Sequence, residues 1–225
     1  NAEALMENII LVTDFLREKI KKAGGDPERE NMNVVLTKDG RPLYQDQEGC
    51  WRVYMFIDGT VTMQTCENAE QFYLSACAFG HFQKLLAEYP AESLHETIPN
   101  FHNTIDRLAK FKKALEEDAM KRAGEVKEEI QFVLDRQEDC RVLCDMLASG
   151  EIPLRVTHND TKLNNIMLDH QTGKGICVID LDTVMPGSAL YDYGDSIRFG
   201  ANTGAEDEKD LSRISCDLLR AAEAR

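Results

Sequence analysis

The chain has 225 residues, a formal charge of −14 and 43% apolar residues, enough for a buried core and for one large domain or two small ones. So acidic a balance argues against nucleic acid or an anionic membrane as the main partner. It does not exclude a nucleotide, because a few local donors and a metal hold phosphates inside an acidic protein.

The spacing of Leu5, Ile9, Val12, Leu16 and Ile20 predicts an amphipathic helix over residues 2–22, stopped by Gly24-Gly25-Asp26-Pro27. Its glutamates and lysines read mostly as a solvated face. The period then changes. Residues 33–46 read as a strand, the turn pair Asp39-Gly40 and a return strand with Leu43 and Tyr44. Trp51 to Phe56 reads as a further strand, broken at Ile57-Asp58-Gly59. We expect a small antiparallel sheet with helix 2–22 on one face, and Trp51, Tyr54 and Phe56 in its core rather than stacked on a ligand.

From Asn68, an N-cap candidate, the pattern is helical for about eighty residues. Residues 69–88 should bury Phe72, Ala76, Phe79, Phe82 and Leu86 before Pro90. Ser93 and Glu96 are spaced as a capping box, with Pro99 cutting that helix short. Helices are expected over 103–117 and over 119–148. The last should carry the stripe Ile130, Val133, Leu134, Val142, Leu143, Met146 and Leu147, closed by Ser149-Gly150. His81, His95 and His102 read as surface or structural histidines, since no second ligand lies at i+4. The seven cysteines, at 50, 66, 77, 140, 144, 177 and 216, form no C-x-x-C pair. They read as reduced core cysteines of a cytoplasmic protein. No apolar run reaches the length of a membrane span and no signal peptide opens the chain.

The stretch 154–182 carries the chemistry. Leu154-Arg155-Val156 approaches as a strand and His158 to Asn164 reads as loop. Strands follow over 165–169 and 176–179, around a turn at 171–175. His158, Asp160, Lys162 and Asn165 stand as H-x-D-x-K-x-x-N, and Asp180 ends the second strand. This is the layout of a phosphoryl-transfer loop followed by a metal-binding strand end. Asp160 is the carboxylate that accepts or orients an acceptor hydroxyl. Lys162 is the cation for charge on the transferred phosphate. His158 completes the catalytic set as an orienter of the loop backbone. The Asn165 amide and the Asp180 carboxylate are oxygen donors for Mg²⁺. Asp182 reads equally as a further metal ligand or a turn-capping residue. The alternative, that Asp160, Asn165 and Asp180 are only turn formers, is outweighed by their placement between strands.

These residues resemble a known family. THNDTKLNNIMLD (157–169), VIDLDT (178–183) and YDYGDSIR (191–198) look like the aminoglycoside phosphotransferase and choline-kinase-like family, which shares the protein-kinase fold. EALMENI (3–9), residues 79–104 and YDYGDSIRFG (191–200) bring a closer resemblance to the N-acetylhexosamine 1-kinases.

The resemblance implies an α+β, two-lobed protein-kinase-like fold. Residues 1–58 would be a partial small lobe and 59–225 a helix-rich lobe with the catalytic loop. It implies ATP and Mg²⁺, with Asp160 as base and Asn165 and Asp180 as metal ligands. Helix 2–22 would be the αC counterpart, with Glu7 (or Glu3) pairing the ATP-binding basic residue. Met55, Phe56, Ile57 and Asp58 would form the hinge beside adenine. Asp192 would support the loop backbone from below, and Arg198 would reach the acceptor. The reaction implied is phosphoryl transfer to the anomeric hydroxyl of an N-acetylhexosamine. An aminoglycoside, choline or homoserine acceptor, or a non-catalytic pseudokinase, are the alternatives. The family's phosphate-covering hairpin and its basic residue precede the αC-like helix, and its acceptor-pocket helices follow residue 225. Both ends of the chain therefore read as cut, and a fragment with little activity by itself is expected.

Overall fold

The computed structural model describes residues 1–204, 208–210, 212, 214 and 215. Cys216 and the helical pattern running to Arg225 lie outside them. The fold mixes α and β, and the chain forms two compact units, Asn1–Thr97 with Arg155 onward, and Ile98–Leu154.

The first unit is built on helix α1 (Ala2–Lys22). The Asn1 side chain caps it, accepting from the amides of Glu3 at 3.1 Å and Ala4 at 3.4 Å. Met6, Ile9, Val12, Leu16 and Ile20 are buried and form one stripe at three- and four-residue steps. Each such side chain contributes about 1.5–3 kcal/mol of burial free energy. Leu5 is only half-buried, because the stripe centres one residue later, on Met6.

The β segments after α1 are short. β1 (Val34–Val35) and β2 (Tyr44–Gln45) flank the Asp39-Gly40 turn but do not pair with each other. The turn itself closes, with the Gly40 amide donating to the Thr37 carbonyl at 2.9 Å and Gly40 at φ +78°, a conformation that favours glycine. β2 pairs instead with β3 (Cys50–Trp51), and β1 with β4 (Val53–Tyr54), both antiparallel. The expected single strand over 51–56 is therefore two, separated at Arg52. Two of the three aromatic residues expected in a core here are not in one. Trp51 is 53% and Phe56 83% exposed, while Tyr54 is half-buried. Two-residue ladders give these rings too little sheet to pack on, and α1 covers only one side.

Further on, β5 (Thr60–Val61), β7 (Ile166–Asp169) and β8 (Gly175–Val178) form an antiparallel sheet in the order β5-β7-β8. Helix α2 (Ala69–Leu85) packs on β8 so closely that a Cβ at Gly175 would stand 2.6 Å from that of Ala78. Asn68 caps α2 by accepting from the Gln71 amide at 3.0 Å. Phe72, Phe79, Phe82 and Leu86 are buried as expected, but Ala76 is exposed and Ser75 takes the inward place. The Ser93–Glu96 capping box does not form. Ser93 ends a single 3₁₀ turn (Ala91–Ser93) whose cap, Leu94, is extended. β6 (Arg155–Thr157) pairs with β9 (Met185–Gly187), and the Ser188-capped helix α6 (Ala189–Gly200) follows.

The second unit holds α3 (Thr104–Glu117), α4 (Lys127–Asp135) and α5 (Asp139–Ser149). The expected continuous helix over 119–148 is thus two. Bonds of the i→i−3 kind at Arg136, Gln137 and Asp139 (3.1, 3.4 and 3.0 Å) tighten the backbone between them. Its apolar stripe is half-buried at best, and Val142 is 51% exposed. Gly150, at φ +76°, closes α5 as its left-handed cap.

Candidate active site

The antiparallel β7–β8 pair sets the site. Ile166 stands opposite Val178, and the Ile179 amide donates to the Asn165 carbonyl at 2.9 Å. Asn165 and the residues before Asp180 are thereby held side by side. Asn165, in a 3₁₀ turn (Leu163–Asn165), directs its amide nitrogen at Asp160, 2.9 Å from the carbonyl and 3.1 Å from the Oδ2 carboxylate oxygen. That amide turns a loop five residues long into a closed unit and leaves the Asn165 Oδ1 without a hydrogen bond among the described residues. The other Asp160 oxygen lies 3.4 Å from Lys162 Nζ. Both side chains are about a quarter exposed or less (25% and 21%), so the carboxylate is neither sealed off nor washed by solvent.

His158 is fully buried. Its Nδ1 lies 3.3 Å from the Asp160 amide and its Nε2 2.8 Å from the Ile179 carbonyl. An amide must donate and a carbonyl accept, which assigns the neutral ring with its proton on Nε2. Both ring nitrogens are spent on backbone, and the ring packs edge-on against Phe79 and Phe82, at 5.4 and 6.0 Å between centroids. His158 thus orients the loop, tying it to Ile179, the residue before Asp180.

Asp192, on α6 and 3% exposed, accepts from the amides of His158 (2.9 Å) and Asn159 (2.7 Å), and from Gln83 Nε2 (2.9 Å). Asn159 has φ +67°, a left-handed conformation that costs an Asn less than most residues. Besides Gln83, four side chains that the spacing did not single out join this network. Asp195 accepts from the Thr161 amide at 2.8 Å and from its hydroxyl at 3.3 Å. The Thr161 hydroxyl also lies 2.8 Å from the Asp192 carbonyl. Thr183 donates its hydroxyl to the His158 carbonyl at 2.6 Å, and Asn159 Nδ2 reaches the Thr183 carbonyl at 2.8 Å. The one local signal for Asp195 was its place three residues after Asp192, on the same helix face.

Asp180 is exposed and stands at φ +59°, ψ +57°, and its carboxylate makes no hydrogen bond or ion pair among the described residues. A non-glycine residue there costs roughly 1–3 kcal/mol, and such strain gathers at functional sites. Asp182, two residues on, carries an ion pair with Arg52. Burial pushes the Tyr54 hydroxyl up to about 12; Arg52 opposes this, while Asp182 and Asp180 reinforce it. Tyr54, Arg52 and the two aspartates therefore share one electrostatic neighbourhood.

The residues implied for the nucleotide lie on the approach to β5. Met55 and Phe56 are exposed, Ile57 is buried and Asp58 is exposed. The Met55 amide is spent on the Asn33 carbonyl (2.8 Å) and the Asp58 carbonyl on Arg29 (2.9 Å), whereas the Phe56 peptide groups make no hydrogen bond among the described residues. Glu7 Oε2 lies 2.8 Å from His95 Nε2, so its present partner is a histidine. Arg198 is 58% exposed and turns back to Asp195, at 3.0 Å from Nε and 2.9 Å from a terminal nitrogen.

The donor set suits Mg²⁺, which takes hard oxygen ligands and keeps several waters. The Asn165 Oδ1 and the Asp180 carboxylate are oxygen donors with no hydrogen-bond partner among the described residues, on two segments that the Ile179–Asn165 backbone bond joins. Among the described residues no three His, Cys, Asp or Glu side chains form a metal cluster, so the candidate is this amide–carboxylate pair. The model of the phosphotransferase enzyme family (APH) matches residues 30–224 of the chain.

Proposed function

Because the chain belongs to the phosphotransferase enzyme family, we propose that it is an ATP- and Mg²⁺-dependent small-molecule kinase acting on the anomeric hydroxyl of an N-acetylhexosamine. The observation that carries this reading is the Asp160–Asn165 pair, joined through the Asn165 backbone to the segment ending in Asp180, whose carboxylate has no partner among the described residues.

Asp160 orients the acceptor O–H and takes its proton on a carboxylate oxygen as the acceptor oxygen bonds to the terminal phosphorus. The bond to the nucleoside diphosphate breaks, and the diphosphate leaves. Asn165 fixes the rotamer of that carboxylate, so the base is pre-positioned before substrate arrives. Lys162 offsets charge on the transferred phosphoryl group. Mg²⁺, when held by Asn165 and Asp180, neutralises the phosphate oxygens. Asp182 stands next in line on the same turn. The exposed peptide of Phe56, within Met55–Asp58, suits the edge of an adenine. The resemblance of residues 79–104 and 191–200 to N-acetylhexosamine 1-kinases favours that acceptor.

Two measurements test the reading. In the intact enzyme, Asp160→Asn should lower turnover by about 10²–10⁴-fold, the range for a positioned general base, with nucleotide affinity nearly unchanged. Near-normal turnover would refute the assignment of the base. A panel of N-acetylglucosamine, N-acetylgalactosamine, kanamycin, choline and homoserine, read by ³¹P NMR, should give a sugar 1-phosphate. Faster transfer to any of the other three would refute the acceptor.

A further inference from the structure

Arg52 lies where the strand over 51–56 breaks, between the ladders of β3 and β4. Its side chain reaches the turn after β8 that carries Asp180 and Asp182. One terminal nitrogen is on the Asp182 carboxylate and the other is 4.0 Å from the Met6 thioether. The guanidinium carbon stands 5.3 Å from the centre of the Tyr54 ring. A guanidinium has five N–H donors in a rigid fork. One is on a carboxylate and one makes a long contact to sulfur, so three have no partner among the described residues. The side chain is 28% exposed.

The surroundings select the ligand's charge. Asp182 holds the fork in place and neutralises it in the free protein. Asp180, two residues away on the same turn, is the bare oxygen donor of the candidate metal pair. A group that brings both a cation for Asp180 and oxygens for the free donors of Arg52 satisfies both at once. Lys162 stands beside Asp160 on the catalytic loop, so the two cations serve different stretches of the site. Lys162 is with the base and Arg52 with the strand end.

We propose that Arg52 binds the polyphosphate of the nucleotide, with Asp182 as the residue that positions it. This rests on the kinase reading above. Arg52 acts as a fork on non-transferred phosphate oxygens, while Asp182 keeps it from folding onto Asp180.

The test compares the whole 225-residue chain with Arg52→Met and Arg52→Lys by titration calorimetry, using MgATP and adenosine as separate ligands. Methionine keeps much of the stem and removes the donors. Arg52→Met should weaken MgATP by about 10–100-fold, the worth of a charge-assisted hydrogen-bonded contact, and leave adenosine within about twofold. Arg52→Lys should recover part of the loss, because the charge remains and the fork does not. Equal weakening of MgATP and adenosine would mean that Arg52 only supports the fold, and overturns the proposal. Unchanged MgATP binding in Arg52→Met overturns it as well, with the kinase reading intact. Failure of the unmodified chain to bind either ligand would overturn both.

Discussion

The carboxylate of Asp195 lies 2.8 Å from the amide nitrogen of Thr161, the residue that follows Asp160. Together with Asp192, three residues earlier on α6, it hangs the whole run from His158 to Thr161 on two carboxylates of one helix. Asp192 serves the amides before Asp160 and Asp195 the amide after it. The Asp160 backbone is thereby fixed from both sides, which a base that must meet an acceptor hydroxyl requires.

Asp195→Ala should therefore slow the chemistry more than it weakens binding. A base displaced by about 1 Å costs on the order of 10²-fold in rate. The expectation is a fall in kcat of about 10–100-fold with nucleotide affinity unchanged. Steady-state kinetics with calorimetry on the same variant checks it. An unchanged kcat would mean that Asp192 alone holds the loop.

Asp192→Ala should act on stability first. It strips the acceptor from the buried amides of His158 and Asn159 and from Gln83, and each orphaned buried donor costs about 1–3 kcal/mol. A loss of about 3 kcal/mol or more is expected in urea unfolding. Asp192→Asn, which keeps one acceptor oxygen, should lose less than the alanine variant. A loss below about 1 kcal/mol in Asp192→Ala would contradict the strap.

What the sequence made legible was the local part. α1 and α2 announced themselves by apolar steps of three and four. The loop from His158 to Asn165 and the strands around it lie where alternation and turn residues put them, because those signals act over a few neighbours. The contacts that escaped reading join residues far apart in the chain: Thr161 with Asp195 across 34 positions, Asn8 with His95 across 87 and Arg52 with Asp182 across 130. No periodicity encodes such pairs. The break at Arg52 was hidden for a related reason. Trp51, Val53, Tyr54 and Phe56 have strong strand propensity, yet the ladder partners run out after two residues and tertiary pairing overrode the pattern.

Asn8 gives a further prediction. It is fully buried in α1 and spends three bonds across the unit. Its Nδ2 donates to the carbonyls of His95 (2.8 Å) and Val184 (3.0 Å), and its Oδ1 accepts from the His95 amide (2.8 Å). Val184 follows the turn that carries Asp180 and Asp182. Leucine keeps the branched outline of asparagine, though it is larger, and cannot pair these groups, so Asn8→Leu leaves two carbonyls and an amide without their side-chain partner. It should cost about 2–5 kcal/mol, seen as a lower urea midpoint. The alanine variant leaves room for a water and should lose less. A leucine variant as stable as the parent would refute this role.

Alkaline pH should weaken the fold through two thiols. Burial pushes Cys66 from 9.0 up to about 11, and burial with the nearby Glu30 charge pushes Cys177 from 9.0 to about 12. A raised folded value means that the unfolded chain loses its proton first. The stability these thiols contribute is therefore complete below pH 9 and is lost as pH climbs through 11 and 12. Between pH 9 and 10 the Tyr54 hydroxyl, ordinarily at 10.0, adds little. In that window each thiol should remove up to about 1.4 kcal/mol per pH unit, the free energy of one unit of pKa difference. Urea midpoints should be flat from pH 7 to about 8.5 and then fall. The double variant Cys66→Ala, Cys177→Ala, less stable at every pH because it leaves cavities, should fall much less steeply. Native-state alkylation gives an independent check: Cys50 and Cys77 are exposed while Cys66 and Cys177 are buried, so the first pair should label long before the second. A parent and a double variant with the same slope above pH 9 would show that the lost stability comes from other groups.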